Sequence, residues 1–248
     1  MKPRFHSALI VAVLAAAAPG YGQAPAPADG SLTAELPAPA AGDDFSGFED
    51  EFAPPKPVSD PLRGWNRAVF KVNDKFYYWF AKPVARGYGF LVPKPARKAV
   101  DRGFHNLRYP VRLLGCVLQA KMGRAGAETG RFLVNSTLGL GGLFDPAGRW
   151  FSWARPPDED LGQALGAWGL GPGFPLTIPF LGQSSLRDGL MIIPAIYLSP
   201  VPYVTEVPVS FGVSAGEQLN FISLHIGEYE SLKKDALDPY AFIRDAYL

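Results

Sequence analysis

Cysteine and histidine are almost absent from this chain. Cys116 is the sole cysteine, which excludes an internal disulfide framework and any cysteine-cluster zinc site. The three histidines, His6, His105 and His225, are too scattered for a motif-based metal centre, so neither a metal nor a cofactor is expected. Charge is sparse as well, at 19% of residues with a net of +1, against 48% hydrophobic residues, which excludes a chain disordered throughout. No apolar run is both long enough and unbroken enough to span a bilayer. Enzyme signatures are missing too. Gly139-Leu140-Gly141 opens like a dinucleotide loop, but Phe144 stands where the third glycine belongs. Ser184-Ser185 follows Gly182-Gln183 without the second glycine of a nucleophile elbow. Cys116 sits among Leu113, Leu114, Val117 and Leu118 as a packed thiol, and His105 has no carboxylate beside it in sequence. No catalytic residue is expected.

Glycine (27) and proline (25) are abundant, and they punctuate a chain of 248 residues with three zones. Lys2 and Arg4, the apolar run Ala8–Ala18 and the small residues Gly20 and Gly22 follow the plan of a secretory signal peptide over residues 1–22. No cysteine follows that run, so N-terminal acylation is not expected. Residues 23–58, rich in Pro, Ala and acidic side chains, read as a flexible acidic linker. Phe45, Phe48 and Phe52 in it are either docking residues or incidental. Residues 59–248 form the folded domain.

Within that domain charge is segregated. Asp60–Arg131 holds 15 Lys+Arg and 4 Asp+Glu, a net of +11, whereas Phe132–Leu248 holds 6 and 12, a net of −6. So basic a block suits a polyanion or an anionic lipid surface. Export and the lack of any nucleic-acid-binding pattern favour phospholipid head groups over nucleic acid. A solvated face without ligand is the plain alternative. In Asp60–Phe80, Asp60 is placed to cap a helix with Pro61 in its first turn, and Pro83 is placed to stop it. Leu62, Trp65, Val69, Val72, Phe76, Trp79 and Phe80 recur at three- and four-residue spacing along one stripe of about 100°. Arg63, Arg67, Lys71 and Asp74 lie opposite. Trp, Phe and Leu against Arg and Lys suits a helix lying in a membrane interface. A globular protein's surface helix has an apolar stripe too, so both readings stand.

Phe132–Phe144, Leu161–Leu186 and Gly189–Thr205 are uncharged yet broken by glycine or proline, so they read as hairpins or interrupted helices, in a core or dipping into one leaflet. Further helices are expected at about 94–106, 110–121, 125–134, 158–167, 184–197, 215–237 and 238–248, with Asp158-Glu159-Asp160 at a helix N-terminus. Thr177–Phe180 and Val204–Phe211 are at most extended. The fold class is mainly α.

A joint pattern then runs from Asp60 to the last residue. It comprises Asp60-Pro61-Leu62, Gly64, Asn66-Arg67, Phe70 and Asn73-Asp74; then Pro83-Val84, Tyr88, Val92-Pro93, Pro95 and Arg97; then Asn106-Leu107, Pro110 and Leu118-Gln119. It continues through Gly130-Arg131-Phe132, Asn135-Ser136-Thr137, Gly139, Gly141-Gly142 and Phe144-Asp145, then Leu161-Gly162-Gln163, Trp168-Gly169, Arg187-Asp188-Gly189 and Leu237–Tyr247. This resembles the VacJ/MlaA family of outer-membrane phospholipid-transport proteins. The resemblance implies a ring-like bundle of amphipathic and broken helices with Gly-rich hairpins, seated in the periplasmic leaflet of the outer membrane around an amphipathic channel. It implies removal of mislocalised phospholipid from the outer leaflet, a periplasmic lipid-carrier protein that receives it, and a trimeric porin as membrane partner. On that reading Phe132, Asn135, Leu138, Gly139, Gly141, Gly142, Phe144 and Asp145 are the channel or hairpin candidates, and Arg97, Lys98 and Arg102 the head-group candidates. Three departures accompany it: no lipoprotein cysteine, an end at Leu248 without a polar tail, and Cys116 where asparagine is usual. Two other roles stay open, a soluble periplasmic lipid chaperone and a porin-associated scaffold that never handles lipid.

Overall fold

Heptad-spaced asparagines set the first long-range contact of the fold. The computed structural model describes residues 58–248, apart from 205 and 235, and Asp60–Leu248 lie in one compact unit. The expected signal peptide and nearly all of the linker fall outside the described residues. Helix α1 (Arg63–Phe76) carries Asn66 and Asn73 two turns apart on one face. Asn66 donates to the Pro175 carbonyl (2.9 Å) and accepts from Thr177 N–H (2.8 Å). Asn73 donates to Ile178 O (3.0 Å) and accepts from Phe180 N–H (2.8 Å). Both act on strand β1 (Pro175–Ile178), whose other edge pairs antiparallel with β2 (Gly182–Ser185). Two side-chain amides thus take the place of a third strand along an edge that would otherwise be unpaired.

The chain does not stop at Pro83. A π-helical turn, Tyr77–Ala81, with Lys82 N–H bonding Tyr77 O, leads straight into α2 (Lys82–Leu91). Pro83 falls in the opening residues of α2, and the wide turn in front of it absorbs the change of register that its missing N–H imposes. Asp60 also departs from its expected role. Leu62 takes the cap position of α1 without a side-chain bond, because the Asp60 carboxylate is held elsewhere, by Asn66 Nδ2 (2.9 Å), the Tyr240 hydroxyl (2.5 Å) and Arg244.

Helices α3 (Lys94–Leu107), α4 (Tyr109–Leu118) and α5 (Met122–Thr137) follow, the first two begun by Pro95 and Pro110 in their opening turns. Next come the short α6 (Pro146–Arg149) and α7 (Leu161–Ala167), whose N-cap Asp160 accepts from Gln163 N–H at 2.6 Å. Ser184 and Ser185, expected in a helix, belong to β2, and Ser185 caps α8 (Leu186–Leu198). Of the stretch considered extended near 204–211, Val204 ends α9 (Val201–Val204) and 207–211 open α10 (Val207–Leu224), begun at Pro208. The helix expected over 215–237 divides into α10 and α11 (Glu228–Lys234) at Gly227, whose φ of +106° suits glycine best. Helix α12 (Pro239–Tyr247), capped by Asp238, closes the chain against β2. Packing is helix on helix: α4 on α5 and α7, α10 across α2 and α3, and α8 on α7. Among the described residues no helix is long and apolar enough to cross a membrane.

Candidate functional site

The division of polar and apolar side chains between inside and outside runs against the ordinary rule. Among the described residues, the buried apolar side chains are mostly small, with Ala81, Ala85, Cys116, Ala125, Ala147 and Ala164 joined by Val69, Leu161 and Tyr240. The buried polar ones include Asn66, Asn106, Arg112, Glu128, Arg131, Glu159 and Asn220. Large apolar side chains stand outside, Trp79 at 80% exposed and Phe90 at 90%, with Leu91, Leu140, Trp150 and Trp168 also exposed. An exterior this apolar is favourable only against another apolar medium or a partner.

Helix α1 shows how this arises. Its packing face is Asn66, Val69 and Asn73, so Val69 is the one stripe residue that is buried. Leu62, Trp65, Val72, Phe76, Trp79 and Phe80 are exposed beside that face, with Phe76 stacked on Phe80 (5.2 Å) and edge-on to Phe180 (5.0 Å).

The turn after α5 is built from carbonyl-directed bonds. Asn106 Nδ2 donates to Ser136 Oγ (2.8 Å) and Gly141 O (3.2 Å), and Arg102 Nε donates to Leu143 O (3.0 Å). Gly142 lies at φ +95°, and a Cβ there would stand 2.3 Å from that of Asn106, so both backbone and space demand glycine. Asp145 accepts from Arg131 Nη2 (2.8 Å), Asn135 Nδ2 (3.0 Å) and Gly148 N–H (3.0 Å), capping α6. Burial pushes the Asp145 carboxyl up, but the Gly148, Asn135 and Arg131 bonds together outweigh it and hold it below the usual range. Phe132 stacks on Tyr109 with ring centroids 4.1 Å apart. Pinned in this way, the turn presents Leu138, Leu140, Leu143 and Phe144 to the exterior.

A second feature is a predominantly apolar recess of about 360 Å³ between α4, α7 and α8, lined by Leu114, Leu118, Leu161, Leu165, Trp168 and Met191 among others. Trp168 Nε1 donates to Leu118 O (2.8 Å), so the indole leaves no polar atom unsatisfied in the wall.

Residues 58–248 match the family model described as MlaA lipoprotein. The chain belongs to the MlaA family. Among curated MlaA relatives, the intermembrane phospholipid transport system lipoproteins of Shigella flexneri and Escherichia coli (strain K12) are each 31% identical over 192 residues, 76% of this chain and 75% of theirs. An uncharacterised protein of Rickettsia bellii (strain RML369-C) is 33% identical over 76% of this chain and 74% of its own. A solved structure described as the structural basis for maintenance of bacterial outer membrane lipid asymmetry superposes with a TM-score of 0.68 at 30% identity, covering 76% of this chain and 95% of that one. The mainly helical architecture is therefore the MlaA architecture.

Within this MlaA-family chain the site residues expected from sequence divide by what they touch. Gly139 is buried under the Asn135 and Phe144 carbonyls, 2.4 and 2.7 Å from where its Cβ would be, and Gly141, at φ +70°, is open. Arg97, Lys98 and Arg102 all lie on α3, yet only Lys98 is exposed. Arg97 ties α3 to α10, donating through Nη1 to Ser223 O (2.7 Å) and through Nε to Val92 O (3.0 Å). Sequence reasoning missed Glu159, which is buried and accepts from Gln119 Nε2 (2.7 Å), Lys121 Nζ (2.7 Å) and Arg124. Burial pushes its carboxyl up, while Lys121, Gln119 and Arg124 pull it well below the ordinary range. Its neighbour Asp160 is the cap, and no local pattern separates the two roles.

Proposed function

We propose that this protein is the outer-membrane component of an intermembrane phospholipid transport system. It removes phospholipid mislocalised to the outer leaflet through an amphipathic channel and passes it to a periplasmic carrier, with a trimeric porin beside it. The observation that carries this reading is the inverted burial, a polar and hydrogen-bonded interior under an aromatic and aliphatic exterior, in a chain of the MlaA family. Such a body rests stably in one leaflet. The exposed Trp65, Trp79 and Phe80 occupy the acyl–head-group boundary, and the basic half of the chain attracts anionic lipid.

The work is passage rather than bond-making. A head group dragged through hydrocarbon loses its hydrogen bonds, at several kcal/mol for a polar group and more for a charged one. A polar wall lowers that barrier while acyl chains stay in apolar surroundings, such as the recess between α4, α7 and α8. The pinned turn bearing Leu138, Gly139, Gly141, Gly142 and Phe144 forms part of the path, with Phe132, Asn135 and Asp145 as its supports. Of the head-group candidates, Lys98 meets lipid directly, while Arg97 and Arg102 shape the backbone next to it.

Deleting the gene and labelling intact cells with an impermeant amine-reactive probe measures surface-exposed aminophospholipid. We expect a rise in the deletion strain and its return to baseline on complementation, with phospholipid copurifying from detergent extracts. No rise, together with a lipid-free membrane-bound protein, assigns a scaffold role. Release of the protein without detergent assigns a soluble chaperone.

A further inference from the structure

Three side chains that lie far apart in sequence meet where α3, α5 and the irregular stretch 152–160 converge. A ligand atom of each of His105, Glu128 and Asp158 lies within 4.8 Å of the other two. Glu128 is only 3% exposed, and Arg112 engages one of its oxygens, Oε2, through Nε and Nη2 at 3.0 Å each. The other oxygen, Oε1, is buried with no hydrogen-bond partner, a costly state for a carboxylate oxygen. His105 Nδ1 accepts from Arg155 Nη2 (2.7 Å) and lies 3.6 Å from Asp158 Oδ1, and Arg155 Nη2 is 3.6 Å from Asp158 Oδ2. Arg112 also donates to the His105 carbonyl and lies 3.8 Å from Asp158 Oδ1.

We propose that His105, Glu128 and Asp158 form a binding site for a divalent transition metal of the zinc class, held closed by Arg155 as a competing cation. One imidazole and two carboxylates make a borderline donor set suited to zinc(II), with coordination positions left for water. Imidazole ligates in its neutral form, and Nδ1, which accepts from Arg155, is the nitrogen that carries the lone pair. Of the guanidiniums around His105, Arg131 is paired with Asp145 and Arg108 with Glu217, while Arg112 holds Glu128 Oε2 within the cluster itself. Arg155, about half exposed, spends its charge on the site itself and is free to swing into solvent. Bonds of about 2.0–2.2 Å require the donor atoms to draw together by roughly one ångström. Asp158, exposed on irregular backbone, is the donor able to move. A bound ion would fasten 152–160 to α3 and α5.

The test uses the full chain purified in detergent, stripped with a chelator and titrated with zinc(II) by calorimetry, with cobalt(II) absorbance reporting coordination. We expect one equivalent bound and a higher melting temperature with metal. Arg155→Gln should bind more tightly than wild type, and Asp158→Asn at least about tenfold more weakly. Both changes are at exposed side chains, so the fold is retained. Failure of both wild type and Arg155→Gln to take up one equivalent overturns the proposal, as does equal affinity in wild type and Asp158→Asn.

Discussion

Trp79 offers a direct measure of how strongly the exterior seeks lipid. Its side chain is 80% exposed, and a tryptophan of its size removes about 250 Å² from water when covered, so about 200 Å² is at stake. At about 25 cal/mol per Å², complete transfer into hydrocarbon is worth roughly 5 kcal/mol. An interfacial indole remains partly hydrated and alanine keeps a fraction of the area, leaving about 2 kcal/mol for Trp79→Ala. That corresponds to a loss of about 30-fold in partitioning onto vesicles. Because Trp79 lies outside the packing face formed by Asn66, Val69 and Asn73, folding stability should change by no more than about 0.5 kcal/mol. Flotation with phosphatidylglycerol-containing liposomes gives the partition ratio, and denaturant unfolding gives the stability. Partitioning within about threefold of wild type refutes the interfacial role of the aromatic stripe that runs from α1 into the π turn. A stability loss well above 1 kcal/mol shows instead that the indole is a packing residue.

Gly142→Ala should destabilise by about 3 kcal/mol or more, since the left-handed backbone and the clash with Asn106 add, whereas Gly141→Ala, in open space at φ +70°, should lose only about 1 kcal/mol. Thermal melts of the two variants side by side check this, and equal losses contradict it. Asp145 has a folded-state pKa below its ordinary 3.8, so its stabilisation is present above about pH 3.8 and fades as pH falls through the lower folded value. Asp145→Asn should accordingly be less stable than wild type at pH 7, with the difference shrinking below pH 3.8. A gap independent of pH across unfolding curves at pH 7, 5 and 3 would show that the charge is not what matters there.

Much of the helical framework was legible from short-range signals. Prolines mark the openings of α3, α4 and α12, and Asp160 caps α7 as its place before an apolar run suggested. Gly-rich breaks left hairpin and interrupted helix open for the stretch that forms β1 and β2, because the decisive bonds come from Asn66 and Asn73 more than a hundred residues away. Asp60 misled for the same reason, and Pro83 for a local one. A good capping residue was claimed by Tyr240 and Arg244 at the far end of the chain, and a helix breaker was absorbed by the π turn in front of it.

Composition, periodicity and caps, which act within a few residues, determined a mainly helical chain with a basic half, an apolar–aromatic stripe on α1 and a family pattern from Asp60 onward. Which side of that stripe is covered was a tertiary matter, since burial depends on partners that periodicity does not name. The asparagines of α1 won the packing face because β1 presented unpaired backbone groups that only a polar partner satisfies, and the aromatics were left outside. The same holds for Arg97, drawn to the Ser223 carbonyl, and for the meeting of His105, Glu128 and Asp158, where the closing distances span 23 to 53 residues of chain and exist only once α3, α5 and 152–160 are folded together.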